Sequence, residues 1–229
     1  MTVSTVGVAL TLAVLLGISA CSTARPASDV QRLQARAAFE RGLRHFEARE
    51  APQALAALRE AVALDSTSAV YRDVLGLVFS QLRRPDLALE QFREAVALDP
   101  QFADAHFHLG VSLAESMGWT EAAAAYQKAL ALPTLTVPDL AHQNLGLALY
   151  HLRRYGEAEQ ELRFAISLSP EMQAAYYHLG LVLTAQTRLD EARMVFTRAQ
   201  ALGQDTPFGE AASLRLNALG EGPDRSNLP

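Results

Sequence analysis

The sequence predicts an all-α solenoid: five stacked helix pairs closed by a C-terminal capping helix. Three observations predict it. Glycines recur at Gly42, Gly76, Gly110, Gly146 and Gly180, at steps of 34, 34, 36 and 34. Alanines follow in the same register, at Ala54, Ala88, Ala122, Ala158 and Ala192 and again at Ala61, Ala95, Ala129, Ala165 and Ala199. A bulky apolar residue lies between each such pair, at Leu58, Phe92, Tyr126, Leu162 and Phe196. Within a period, apolar residues also fall at helical spacing in two separate runs, as in Val74, Leu75, Val78 and Leu82, then Leu87, Ala88, Phe92, Ala95 and Val96.

Each unit therefore reads as two antiparallel helices. The small residues mark where the two helices cross, because glycine and alanine let backbones approach where leucine would hold them apart. A mid-helix glycine costs about 1 kcal/mol against alanine, so five in register indicate a shared packing need. Asp99-Pro100 and Ser169-Pro170 end second helices, since proline disfavours helical geometry in the residue before it. One helix pair cannot bury its apolar face alone; stacked pairs bury a continuous one. The units span 35–68, 69–102, 103–138, 139–172 and 173–205. The third is longer by two residues, and its junction, Pro133-Thr134-Leu135-Thr136-Val137-Pro138, is expected to be extended and not helical. It reads either as a tolerated insertion or as a surface ridge that grips a partner. Thr206-Pro207 has the form of an N-cap with proline at the first helical position. Phe208, Ala212, Leu216 and Leu219 share one face of the capping helix at 206–220, and 221–229 is expected to be a disordered tail.

This period resembles the tetratricopeptide repeat (TPR), in which helix pairs stack into an α-α superhelix. The resemblance implies that first helices line the concave face, with their second, fifth, ninth, twelfth and thirteenth positions inward. Those positions include Phe39, Phe107 and Tyr177, then Leu43, Leu77, Val111, Leu147 and Leu181, then Phe46 and Tyr150. The groove they form is apolar and aromatic, suited to a hydrophobic segment of a protein partner. The lysine, arginine and asparagine set by which some repeat proteins clamp a C-terminal carboxylate is missing. Two other uses of these side chains stay open: packing between adjacent first helices, or burial under the chain's own N-terminal helix.

Residues 1–24 carry no charge, and 6–20 form an apolar run ending Ile18-Ser19-Ala20-Cys21. Small residues before the chain's one cysteine resemble a lipoprotein signal peptide, 1–20, with Cys21 lipidated and residues 21–34 forming a linker and the start of the first helix. The alternative is an uncleaved membrane anchor, because the uncharged stretch approaches the roughly 20 residues a crossing needs. Ser22 stands where an aspartate would mark retention, so the resemblance implies the outer membrane, with the repeats facing the periplasm. A single cysteine allows no disulfide framework.

Composition narrows the function further. The net charge is −5, and every basic residue except Lys128 is an arginine scattered among acids, so a nucleic-acid partner is not expected. His106 and His142 share one register position, and His108 and His178 another, which speaks for packing over metal ligation. No phosphate loop and no nucleophile–base pairing is readable, so neither an enzyme nor a cofactor nor a small-molecule substrate is expected. The lipobox, the proline-bounded segment before Gly146 and the ending Thr206 to Leu219 together resemble the type IV pilus biogenesis lipoproteins PilF, PilW and Tgl. That family implies a pilotin, a non-enzymatic factor that helps an outer-membrane secretin subunit assemble or insert. A periplasmic scaffold for another envelope system, such as polysaccharide export or cytochrome maturation, is the second expectation.

Overall fold

The computed structural model describes residues 28–220. The expectations for the signal segment, for Cys21 and for the tail 221–229 lie outside them. Eleven helices follow one another: α1 Asp29–Glu47 and α2 Ala51–Leu64, α3 Ala69–Gln81 and α4 Pro85–Leu98, α5 Ala103–Glu115 and α6 Trp119–Leu130, α7 Pro138–His151 and α8 Tyr155–Leu168, α9 Gln173–Ala185 and α10 Leu189–Leu202, then α11 Pro207–Gly220. None of these is long and apolar enough to cross a membrane.

Each pair is locked by one interdigitation. A Cβ added at Gly42 would stand 2.7 Å from Leu58, at Gly76 2.6 Å from Phe92, at Gly110 2.5 Å from Tyr126 and at Gly146 2.6 Å from Leu162. Gly180 meets Phe196 in the same way. The glycine is thus a socket in the first helix for the large side chain of the second. Phe92, Tyr126, Leu162 and Phe196 are almost wholly removed from solvent, each burial contributing about 1.5–3 kcal/mol.

The turn inside each pair also repeats. Arg49, Arg83, Met117, Arg153 and Thr187 all adopt left-handed backbone, with φ between 58° and 62°. The next amide donates back into the first helix, for instance Arg84 N–H to Phe79 C=O at 2.9 Å and Arg188 N–H to Leu183 C=O at 2.9 Å. This is the Schellman closure, made here without its usual glycine. Arg83 and Arg153 are exposed turn residues.

Local signals bound several helices. α4 ends at Leu98 and α8 at Leu168, each one residue before the Asp-Pro or Ser-Pro pair. Ser28 and Gln31 form a capping box at the start of α1. At α11, Thr206 Oγ1 accepts from Gly209 N–H at 3.1 Å. Gly209 is buried against the Gly203 carbonyl so closely that no side chain fits. Ala212 is buried and Leu216 and Leu219 pack on the core, so α11 covers the last pair.

The junction at 131–137 differs from the extended course expected. It is non-helical, but it bends back over the array: Leu132 is buried, and Leu135 and Val137 pack against the core. The Thr136 amide and hydroxyl both donate to the Asp104 carboxylate at 3.0 Å. Its apolar side chains outweigh the β-branched preference for extension, because folding back removes them from water.

Curvature follows from which helices touch. The first helices of successive pairs (α1 and α3, α3 and α5, α5 and α7, α7 and α9) contact one another directly, whereas the second helices do not. The first helices therefore lie on the inside of the superhelix. Its N-terminal edge is polar: Glu40, Arg41, Arg44 and His45 stand where the third pair places His108, Leu109, Ser112 and Leu113, as a terminal repeat requires.

Helix propensity alone would have Gly110→Ala stabilise the protein by about 1 kcal/mol. The socket reverses the sign: Gly110→Ala is expected to lower stability by about 1–3 kcal/mol, read as a shift of the urea midpoint. Adding Tyr126→Ala should make the two substitutions clearly non-additive; simple additivity would show that the socket does not couple them.

Candidate groove on the first helices

The inner wall is built from one residue per turn of each first helix. Leu43, Leu77, Val111, Leu147 and Leu181 occupy equivalent positions in α1, α3, α5, α7 and α9, and all five are half-buried. Val70 and Leu140, which sequence reading left unnamed, are 45% and 40% exposed at the second position of their repeats. Their register would have identified them. Phe46 and Tyr150 are half-buried near the turns, Tyr150 with its ring 5.9 Å from Tyr155.

The aromatic residues at the fifth position are engaged in packing between helices. Phe39 stacks on Tyr71 with centroids 4.6 Å apart, joining α1 to α3. Phe107 is only 8% exposed and lies 6.0 Å from Tyr126. Tyr177 sits between Phe196 and Phe208 of the capping helix, 5.8 and 5.6 Å away. The structure thus divides the ten predicted residues: the aliphatic row stays half-buried, with Val111 and Leu147 lining a cleft, while these three rings chiefly hold the array together. The reason is geometric, because the fifth position points partly toward the next first helix.

Polar residues at this joint alternate with the aromatics. Asp73, 4% exposed, pairs with His108 Nδ1 at 2.8 Å, and the Gln143 amide meets His178 Nδ1 at 3.1 Å. Each bond ties the fifth position of one repeat to the sixth of the next. All six histidines are engaged by neighbours: His45 with Glu50, His106 with the Pro100 carbonyl, His142 with Glu161, and His151 stacked on Trp119. Among the described residues no three metal-ligating side chains converge.

The charged residues at the second position of the first and third repeats are engaged. Arg36 pairs with Glu40 at 3.0 Å, and Asp104 is occupied by Thr136. Trp119, the chain's single tryptophan, opens α6 and stacks on His151 at 3.9 Å with an interplanar angle of 8°. Burial lowers the His151 pKa. Sequence reasoning passed over both residues. The lone tryptophan was the available signal, but its partner lies in the next repeat, and only folding brings the two together.

Burial, reinforced by the charge His151 carries when protonated, holds His178 down to about 4 from 6.5. The Gln143 Nε2 amide faces His178 Nδ1 and donates, so Nδ1 accepts, and protonating it would break that bond. Between pH 6.5 and 4 the unfolded chain binds a proton that the folded chain refuses. Stability from this residue is therefore intact above pH 6.5, declines as pH falls, and is lower by about 3 kcal/mol near pH 4. His178→Gln should flatten that part of the profile, measured as the urea midpoint at pH 7 against pH 4.5. An equal acid loss in the variant would assign it elsewhere.

Comparison with known proteins agrees with this architecture. The family model described as "Tetratricopeptide repeat" matches residues 74–135 and 143–207. The Drosophila melanogaster protein O-mannosyl-transferase Tmtc1 is 41% identical over 91 residues, covering 38% of this chain. The match spans only 11% of that protein. Among solved structures, the MamA protein superposes with a TM-score of 0.66 at 24% identity, covering 74% of this chain and 91% of its own. Pseudomonas aeruginosa pilF gives 0.65 at 23% identity, covering 84% of this chain and 95% of its own. These likenesses are to the fold. With helix pairs in register, glycine sockets throughout and more than half its length matched by the family model, the chain belongs to the tetratricopeptide repeat family.

Proposed function

We propose that this protein is a non-enzymatic, lipid-anchored scaffold of the outer membrane. It binds an outer-membrane secretin subunit through its inner groove and assists assembly or insertion of the type IV pilus secretin, as a pilotin does. The observation that carries the binding role is the half-buried aliphatic row from Leu43 to Leu181. It runs along all five first helices, with Val70 and Leu140 exposed beside it. Such a surface loses free energy in water and gains it under an apolar segment. Arg36 is paired with Glu40 and the row itself is aliphatic, so the groove selects by shape and apolarity rather than by a carboxylate clamp.

The pilus assignment rests on two further supports. The span shared with pilF is 84% of this chain, against 74% for MamA. The Ile18-Ser19-Ala20-Cys21 motif also supplies a lipid anchor, and two or three acyl chains would hold the scaffold at the leaflet where a secretin must insert.

Deleting the gene should abolish heat-resistant secretin multimers and surface pili. Normal multimers in the deletion strain would remove the pilotin role. Re-expressed Leu77→Asp with Leu181→Asp should fail to restore them while keeping its helical circular dichroism. In the same strain, Cys21→Ala should shift the protein from the membrane to the soluble fraction. Unchanged membrane fractionation would disprove lipidation.

A further inference from the structure

We infer that the groove contains a built subsite for one basic side chain, a lysine or arginine of the bound segment, at the boundary between the third and fourth repeats. This rests on the reading of the groove as a peptide-binding surface and specifies what it selects. A cleft of about 240 Å³ opens there. That is smaller than the roughly 300–1,000 Å³ of small-molecule sites, and it suits a single long side chain.

Its walls fit a cation on an aliphatic stem. Val111 and Leu147 form the apolar floor with the buried Tyr126 ring behind them, Trp119 lines one side, and Glu115 and Asn144 supply oxygens. Glu115 closes α5, where the helix dipole adds negative potential to its carboxylate. It forms no ion pair among the described residues. Arg83 lines the adjoining cleft with Glu115 without pairing to it. Stacking on His151 occupies one face of the Trp119 ring and fixes its orientation beside the cleft.

The combination belongs to one repeat. The positions equivalent to Glu115 are Glu47, Gln81, His151 and Ala185, and those equivalent to Trp119 are Ala51, Pro85, Tyr155 and Leu189. Only the third repeat joins a carboxylate to an indole. The charge also points to one class of occupant: the Glu115 carboxylate is exposed at the mouth of the cleft and forms no ion pair among the described residues, so it repels an acidic segment and complements a basic one.

The test uses the purified full chain to select from a random peptide display library. Selected peptides should carry one lysine or arginine among apolar residues, and their binding should change the fluorescence of Trp119, the single tryptophan. Replacing that arginine by citrulline should weaken binding to the wild type about tenfold, and should make little difference to Glu115→Gln, an exposed substitution expected to leave the melting curve unchanged. Apolar peptides without a basic residue, acidic enrichment, or an arginine preference that survives Glu115→Gln would each overturn the subsite while leaving the groove in place. Selection of no peptide whose binding is lost in Leu77→Asp with Leu181→Asp would overturn both.

Discussion

The contact between a glycine in each first helix and a large side chain in its second helix sets the geometry of the whole array. With Gly76 against Phe92 and Gly110 against Tyr126, the two helices of a pair approach closely at one point, and their crossing is thereby defined. The cost is about 1 kcal/mol of helix propensity per glycine, and burial of the opposing side chain offsets it. Because the same contact recurs five times, successive pairs present near-identical surfaces. Nearest-neighbour stacking then propagates the superhelix.

How the pairs join one another is less uniform. The apolar core divides into a cluster in the first two repeats and another from the third repeat to the capping helix, with half-buried Leu109 packed on both. At that boundary Asp73 reaches His108, and two repeats later Gln143 reaches His178. Buried polar groups of this kind stabilise only when paired, and they discriminate against a shifted stacking in which the partner is missing. Where the joint is aromatic, as at Phe39 and Tyr71, it is held by ring stacking instead. The curvature leaves the ninth-position aliphatic row uncovered on the inside.

The repeat units, the terminating prolines and the capped last helix were legible in the residues, because each depends on local chemistry: periodicity, a missing amide hydrogen, an N-cap hydroxyl. Thr206 and Pro207 are a clear case, since the bond from Gly209 N–H closes within four residues. The junction at 131–137 was only half legible. Two prolines excluded helix, but the burial of Leu132 and the bonds from Thr136 to Asp104 depend on a helix some thirty residues upstream. The groove divided in the same way: the aliphatic row could be read from register, whereas the packing roles of Phe107 and Tyr177 depend on neighbours in other helices.

By itself, the sequence determined that this is a helical repeat array, where prolines end two of its helices and open the last, and which small and large residues recur inside each pair. Those facts follow from spacing along one chain segment. Only the tertiary structure decided which side chains remain open on the inner wall, which histidines are consumed by inter-repeat bonds, and that Glu115, Trp119 and Asn144 surround one cleft. Those outcomes turn on the direction of side chains from helices separated by tens of residues, and the curvature that brings them together is a property of the stacked whole.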